Sequence, residues 1–317
     1  MAKKKIRGPK KPRKKRGKSS VRKTYLIKAF SGLGVLILLV VVAGVLTHHL
    51  ISRKYPIAPA TKPRVAKTPR FEIYPKDEIP HRKPVPRPII PIPKKLPKIA
   101  IIVDDIGYDK HMAEKFLGLD AVLTFSILPY SPYQKSIARI ARSKGFDVML
   151  HLPMEPHEYP LINPGPGVLL TSMSPDQLVS QLEKDLDAVP FIQGVNNHMG
   201  SKMTTVSSQL HQLFSVLKKR NLFFIDSRTT ADTVCKPSAH LFQIPFAEKD
   251  VFIDHIQTPD FIRRKLYLLV QIAHSHGMAV GIAHPHDVTY EVLRDLLPEL
   301  KKKAILVKAS EIVDIGS

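Results

Sequence analysis

The sequence holds one cysteine, Cys235, and no tryptophan. A lone thiol forms no internal disulfide, so any folded domain must be held by its core. Cys235 itself reads as a partly buried filler. Acid is absent from residues 1–28, which carry 14 Lys/Arg. Charge of either sign is absent from residues 29–51. Excess charge is absent from residues 100–317, which carry 22 basic and 24 acidic side chains. The net charge of +22 therefore belongs to the first hundred residues. This excludes a basic nucleic-acid-binding face from the part of the chain large enough to fold. No internal repeat is visible. Gly165 and Gly167 in NPGPGVLL are not followed by Lys-Ser/Thr, so they mark a turn and not a phosphate cradle.

The regions that remain divide the chain into four. Residues 1–28 form a basic tail. Residues 29–51 contain AFSGLGVLILLVVVAGVLT, a run of 19 uncharged residues, long enough to cross a bilayer core. A cleaved signal peptide would have a shorter apolar stretch and a small-x-small site after it. Here His48, His49 and Leu50 follow, which favours an uncleaved single-pass anchor. The Lys/Arg excess ahead of it places the tail in the cytoplasm and everything after it outside the cytoplasmic membrane. Residues 52–97 hold 12 of the 28 prolines. Such a segment builds neither helix nor central sheet and reads as a stiff spacer. At roughly 3.1 Å per residue its reach is at most about 140 Å. Residues 98–317 then form one domain, large enough to bury a core.

Within that domain short apolar runs alternate with amphipathic stretches. The expected strands are 99–103, 122–128, 147–150, 194–197, 222–225, 251–254, 279–283 and 305–307. The expected helices are 133–144, 174–189, 207–220, 259–276 and 288–302. Ser174, Pro175 and Gln177 make a capping box with proline in the first turn. This alternation predicts an α/β fold with a mostly parallel sheet, and eight strands suit a barrel-like closure. In such folds the working face lies at the carboxyl ends of the strands. There the sequence places Asp104 and Asp105, then His151, then Asn196, Asn197 and His198, then Asp226, Ser227 and Arg228, then Asp254 and His255, then His284, His286 and Asp287. The helix-to-strand turns carry Gly145, Asn221 and Gly277 instead, ordinary helix stops.

One carboxylate and two imidazoles with an open position describe a catalytic site for a divalent ion such as zinc. A second carboxylate can then take a proton from water, and another imidazole can protonate the leaving group. Strand alternation expects Asp104 and Asp105 on opposite faces, in different roles. A phosphoacceptor domain also starts with an acidic pair, but it needs a third acid at the end of the third strand, where His151 stands.

VDDIG, HLPMEP, NNHMGSKMT, FIDSRTT and the late AHP occur in that order. Together they resemble the divergent polysaccharide deacetylase family, over about residues 97–317. The resemblance implies a distorted (β/α) barrel of the polysaccharide deacetylase type in a protein of the bacterial inner membrane. It implies a metal-dependent hydrolase that removes acetyl groups from an envelope glycan such as peptidoglycan. Asp104 matches the base, Asp105 a metal ligand and His151 the first histidine ligand. Ordinary deacetylases place a second histidine about four residues after the first. Here the next one is His157, six away across two prolines, so His198 is preferred as third ligand, with His157 and His284 as alternatives. His284 is expected as the leaving-group acid or as a structural residue. Asn197, Asp226 and Arg228 are expected to contact substrate. The rival reading is a catalytically silent glycan-binding module of the envelope.

The topology is open to direct test. A reporter active only outside the cytoplasm, fused after Ile99, is expected to be active, and a cytoplasmic reporter at the same point silent. The reverse pattern would place the domain inside.

Overall fold

The computed structural model describes residues 95–315. The expected tail, anchor and nearly all of the linker lie outside the described residues. Among the described residues no helix is long and apolar enough to cross a membrane.

The chain runs β1 (Lys98–Ile106), α1 (Lys110–Leu117), β2 (Thr124–Ile127), α2 (Gln134–Ser143), β3 (Asp147–Met154), α3 (Pro175–Ala188), β4 (Ile192–Met199), α4 (Ser207–Lys219), β5 (Phe223–Asp226), α5 (Cys235–Phe242) and β6 (Phe246–Glu248). It continues with β7 (Val251–Phe252), α6 (Pro259–His276), β8 (Met278–Ala283), α7 (Asp287–Lys303) and β9 (Ile305–Val307). The expected alternation is present. Sequence reading misses α1 and α5, each of eight residues, and the three-residue β6. The first two are too short to show periodicity, and Pro237 near the start of α5 reads as a breaker. The predicted capping box is there: Ser174 accepts from the Gln177 amide, and Gln177 accepts from the Ser174 amide.

Among the described residues all strand pairs are parallel, in the order β6-β5-β4-β3-β2-β1-β8-β7, with β9 beside the start of β1. The sheet curls, because its two edge strands, β6 and β7, are consecutive in the chain. No ladder joins them. Instead the peptide at 249–250 crosses the seam, with the Lys249 amide bonded to the Asp226 carbonyl and the Asp250 amide to the Val280 carbonyl. The barrel expected from eight strands is thus a curled parallel sheet whose seam is spanned by the chain, not by strand pairing.

Alternation along each strand splits the core in two. Ile99, Ile101 and Val103 of β1, Val148, Leu150 and Leu152 of β3, Val195, Phe224 and Ala279 pack outward with helix residues such as Phe116, Leu182 and Phe214. Ala100 and Ile102, Met149, Phe223 and Ile225, Val280 and Ile282 line the inside of the curl. Ala309 and Ile312 belong to that inner cluster too. They follow β9, and the amides of Ala309 and Ser310 bond to Thr124 and Asp147 at the starts of β2 and β3. The amino end of the curl is therefore plugged with apolar side chains, and only the carboxyl end offers an inward-facing site.

Beyond β1, Gly107 has φ 136°, a region open almost only to glycine. A Cβ there would lie 1.9 Å from Ser131 Oγ, and the Gly107 carbonyl accepts from the Tyr133 amide. Gly107→Ala is expected to lower stability by at least about 1–3 kcal/mol, read as a fall in the denaturation midpoint.

Candidate metal and catalytic site

The inward row of each strand continues past the apolar plug into polar residues. In β1 the row Ala100, Ile102 leads to Asp104. In β3 Met149 leads to His151, and in β8 Val280 and Ile282 lead to His284. Asn196 and His198 of β4 share this parity, opposite to the outward Val195. A row that buries a methyl group near the base thus presents a titratable group at the mouth.

Asp105 breaks the rule. By alternation it should point outward, away from Asp104. Its φ is 56°, and the pairing of β1 with β2 slips between Val103 and Ile106. Ile106 accordingly returns to the outward cluster. Val103 points out, Asp104 and Asp105 both point in, and Ile106 points out again: a bulge that re-aims one side chain. The expectation of opposite faces is thus corrected. Asp104 Oδ2 lies 3.7 Å and Asp105 Oδ1 3.1 Å from the same His151 Nε2. A left-handed backbone costs about 1–3 kcal/mol, and aspartate bears it better than most residues.

Three atoms converge there. Asp105 Oδ1 is 3.0 Å from His198 Nδ1, which is 3.1 Å from His151 Nε2. Oδ1 is buried, yet among the described residues no N–H or O–H is aligned on it. The second ring nitrogen of His151 is engaged, Nδ1 lying 2.9 Å from the Asn196 amide oxygen. A buried carboxylate oxygen without a donor, facing two imidazole nitrogens, has the donor chemistry of a divalent cation site, and an N2O set suits zinc. Burial pushes the Asp105 carboxyl up, but His151 and His198 outweigh it and hold it well below the usual carboxylate range. His157, by contrast, is exposed and lies outside this cluster.

Asp104 is 2% exposed. Burial raises its pKa against the opposing pull of His151, His284 and Asn196. The Asn196 side-chain nitrogen donates to both of its oxygens, at 2.9 and 3.0 Å. Across the site His284 Nε2 stands 3.9 Å from Asp105 Oδ2. Its Nδ1 lies 2.9 Å from Asp254 Oδ1, while Asp254 Oδ2 accepts from the His284 amide and from Thr289 Oγ1. Burial pushes the His284 ring down, but Asp254 more than offsets it and raises the pKa to about 9.

The three expected substrate contacts fare differently. Asp226 has outward parity, next to inward Ile225. It is fully buried, and its two oxygens accept from the Arg228 amide and Thr233 Oγ1. Asn197 is also outward and buried; its amide group binds the Ser227 amide and the Met199 carbonyl. Both are buried and tie strand ends together. Arg228 is exposed and pairs with Glu248 at 3.2 Å.

Sequence reasoning underrated three residues. Asn196 and Asp254 stand at strand ends with inward parity, a signal that alternation alone could have supplied. Glu155, buried in HLPMEP, binds Lys202 at 2.7 Å and both the amide and hydroxyl of Thr171. It thereby joins two of the motifs, and Lys202 and Thr171 outweigh burial to keep its carboxyl ionised at lower pH than usual.

A sequence model described as divergent polysaccharide deacetylase matches residues 101–313. The chain belongs to this family. It is 32% identical over 218 residues to the uncharacterized protein YibQ of Escherichia coli (strain K12), a match covering 68% of this chain and 67% of that one. An uncharacterized protein of Haemophilus influenzae is 30% identical over 210 residues, covering 66% and 74%. The crystal structure of an uncharacterized protein from Agrobacterium tumefaciens C58 matches with a TM-score of 0.67 at 26% identity, over 69% of this chain and 90% of that chain. The divergent polysaccharide deacetylase match spans all the strand ends that build the site, from Asp104 to His284.

Proposed function

We propose that this divergent polysaccharide deacetylase is a metal-dependent hydrolase that removes acetyl groups from an envelope glycan. The observation that carries the reading is the convergence of Asp105 Oδ1, His151 Nε2 and His198 Nδ1 beside a second, separately held carboxylate, Asp104. Those three atoms would hold the divalent ion, with zinc the best match to their chemistry. When bound, such an ion polarises an amide carbonyl and acidifies water.

The chain's own residues supply the rest. Asp104 does not share the donor-free position of Asp105; the Asn196 amide holds it in place, and burial favours proton uptake. It is therefore suited to accept the proton of the attacking water. His284 approaches from another strand end, with Nδ1 turned to Asp254 and Nε2 turned to the site. It is suited to give a proton to the amine that departs from the acetyl carbon. Splitting the tasks between a buried carboxyl and a carboxylate-backed imidazole keeps acid and base from neutralising each other. The domain stands on the outer side of the cytoplasmic membrane, held by the anchor at 29–51, where such a polymer is within reach of the proline-rich spacer.

Two sets of measurements test this. Full-length protein in detergent is expected to carry zinc by mass spectrometry, and zinc is expected to raise its unfolding temperature, because a ligand that binds only the native state stabilises it. Asp105→Ala, His151→Ala and His198→Ala should lose both effects, and His157→Ala should keep them. Full occupancy in His198→Ala would move the third ligand elsewhere.

The second set reads turnover, as acetate released from peptidoglycan fragments and chitooligosaccharides. Asp104→Asn and His284→Gln should keep zinc and lose roughly 10²–10⁴-fold in rate. If the zinc-loaded protein releases no more acetate than Asp104→Asn, yet still binds these glycans, the protein is a silent binding module instead.

A further inference from the structure

Two hydrogen-bond networks meet in one side chain that the proposed chemistry does not use directly. Asn196 is fully buried. Its nitrogen lies 2.9 and 3.0 Å from the two oxygens of Asp104 and 3.2 Å from Ser227 Oγ. Its oxygen lies 2.9 Å from His151 Nδ1 and accepts from Ser126 Oγ.

The two ends of a primary amide are not interchangeable: the nitrogen only donates and the oxygen only accepts. A carboxylate also only accepts. Asp104 therefore selects which end faces it, since a turned amide would set its oxygen against both carboxylate oxygens in a buried place. The hydroxyls of Ser126 and Ser227 rotate to either role, so they follow this choice and do not set it. With the amide oxygen directed at His151, Nδ1 of that ring must carry the proton. In the neutral ring Nε2 is then bare. Nε2 is the atom that faces Asp105 Oδ1 and His198 Nδ1.

We propose that Asn196 is a positioning residue that transmits the polarity of Asp104 to His151, fixing the tautomer that turns a bare Nε2 toward Asp105 and His198. The proposed base and the proposed metal ligand are then oriented by a single neutral group on the neighbouring strand. The tautomer follows from the hydrogen bonds alone, while its effect on metal affinity rests on the metal reading above.

The test separates these two parts. Full-length protein labelled with 15N-histidine is stripped of metal with a chelator and studied in detergent at a pH high enough for the ring to be neutral, with His151→Gln to assign the signal. The wild-type ring should be protonated on Nδ1; protonation on Nε2 overturns the proposal without any further variant. In Asn196→Ala the Nδ1–H preference should be lost, and zinc affinity, measured by chelator competition, should fall about 10–100-fold. A folded Asn196→Ala with unchanged tautomer and unchanged affinity overturns the proposal. A wild type that binds no zinc at all would remove the metal reading and leave the histidine spectra to decide the tautomer.

Discussion

The space inside a curled parallel sheet admits one row of side chains from each strand, and this limit governs the molecule. At the amino end the rows are apolar, from Ala100 and Ile102 through Met149 to Val280 and Ile282, and Ala309 and Ile312 seal them. At the carboxyl end the same rows turn polar. Asp104, His151, Asn196, His198 and His284 are neighbours because they are the next inward positions on their strands, not because they are close in sequence. Burying them together removes water from around several titratable groups. Each is then tolerable only with a partner, and the pairs Asp104–Asn196, His151–Asn196 and His284–Asp254 meet that demand.

Alternation makes much of this legible. The parallel α/β class, the strand ends and Asp104, His151, His198 and His284 as candidates follow from apolar runs that alternate with amphipathic stretches; within each strand the rule is a period of two. Applied further, the same rule separates Asn196 from Asn197 and Ser227 from Asp226, one of each pair turned in and the other out. The outward member of each is spent on binding the loops, Asn197 to Ser227 and Asp226 to Thr233. What alternation cannot supply is its own exception. Nothing in VDDIG says that Asp105 adopts φ 56° and turns inward; that depends on the slip against β2 and on the backbone bond from Tyr133 to Gly107, contacts distant in the chain. The short elements α1, α5 and β6 were hidden for a different reason, since eight residues make only about two helical turns and three residues about one and a half strand periods.

Left-handed backbone recurs at three strand ends that carry motif residues. Asp105, Met199 and Arg228 all have positive φ, and each follows or forms part of an acid- or histidine-bearing motif. The sheet geometry would carry the chain straight out at these points. A left-handed residue redirects the backbone instead; the Met199 carbonyl, for example, accepts from both Asn197 and Thr229. The energy for these turns comes from the large two-sided core beneath them.

The seam between β6 and β7 has a bearing on how such molecules coexist. An open sheet edge is a template on which another chain can pair and start to aggregate. Here the edges are three and two residues long, and Phe246 of β6 already exchanges backbone bonds with Asp314. Among the described residues, these borders leave little free backbone on which a second copy could extend the sheet. By giving each border only a few residues, and by letting the peptide at 249–250 bridge the seam, the sheet offers little on which another copy could pair.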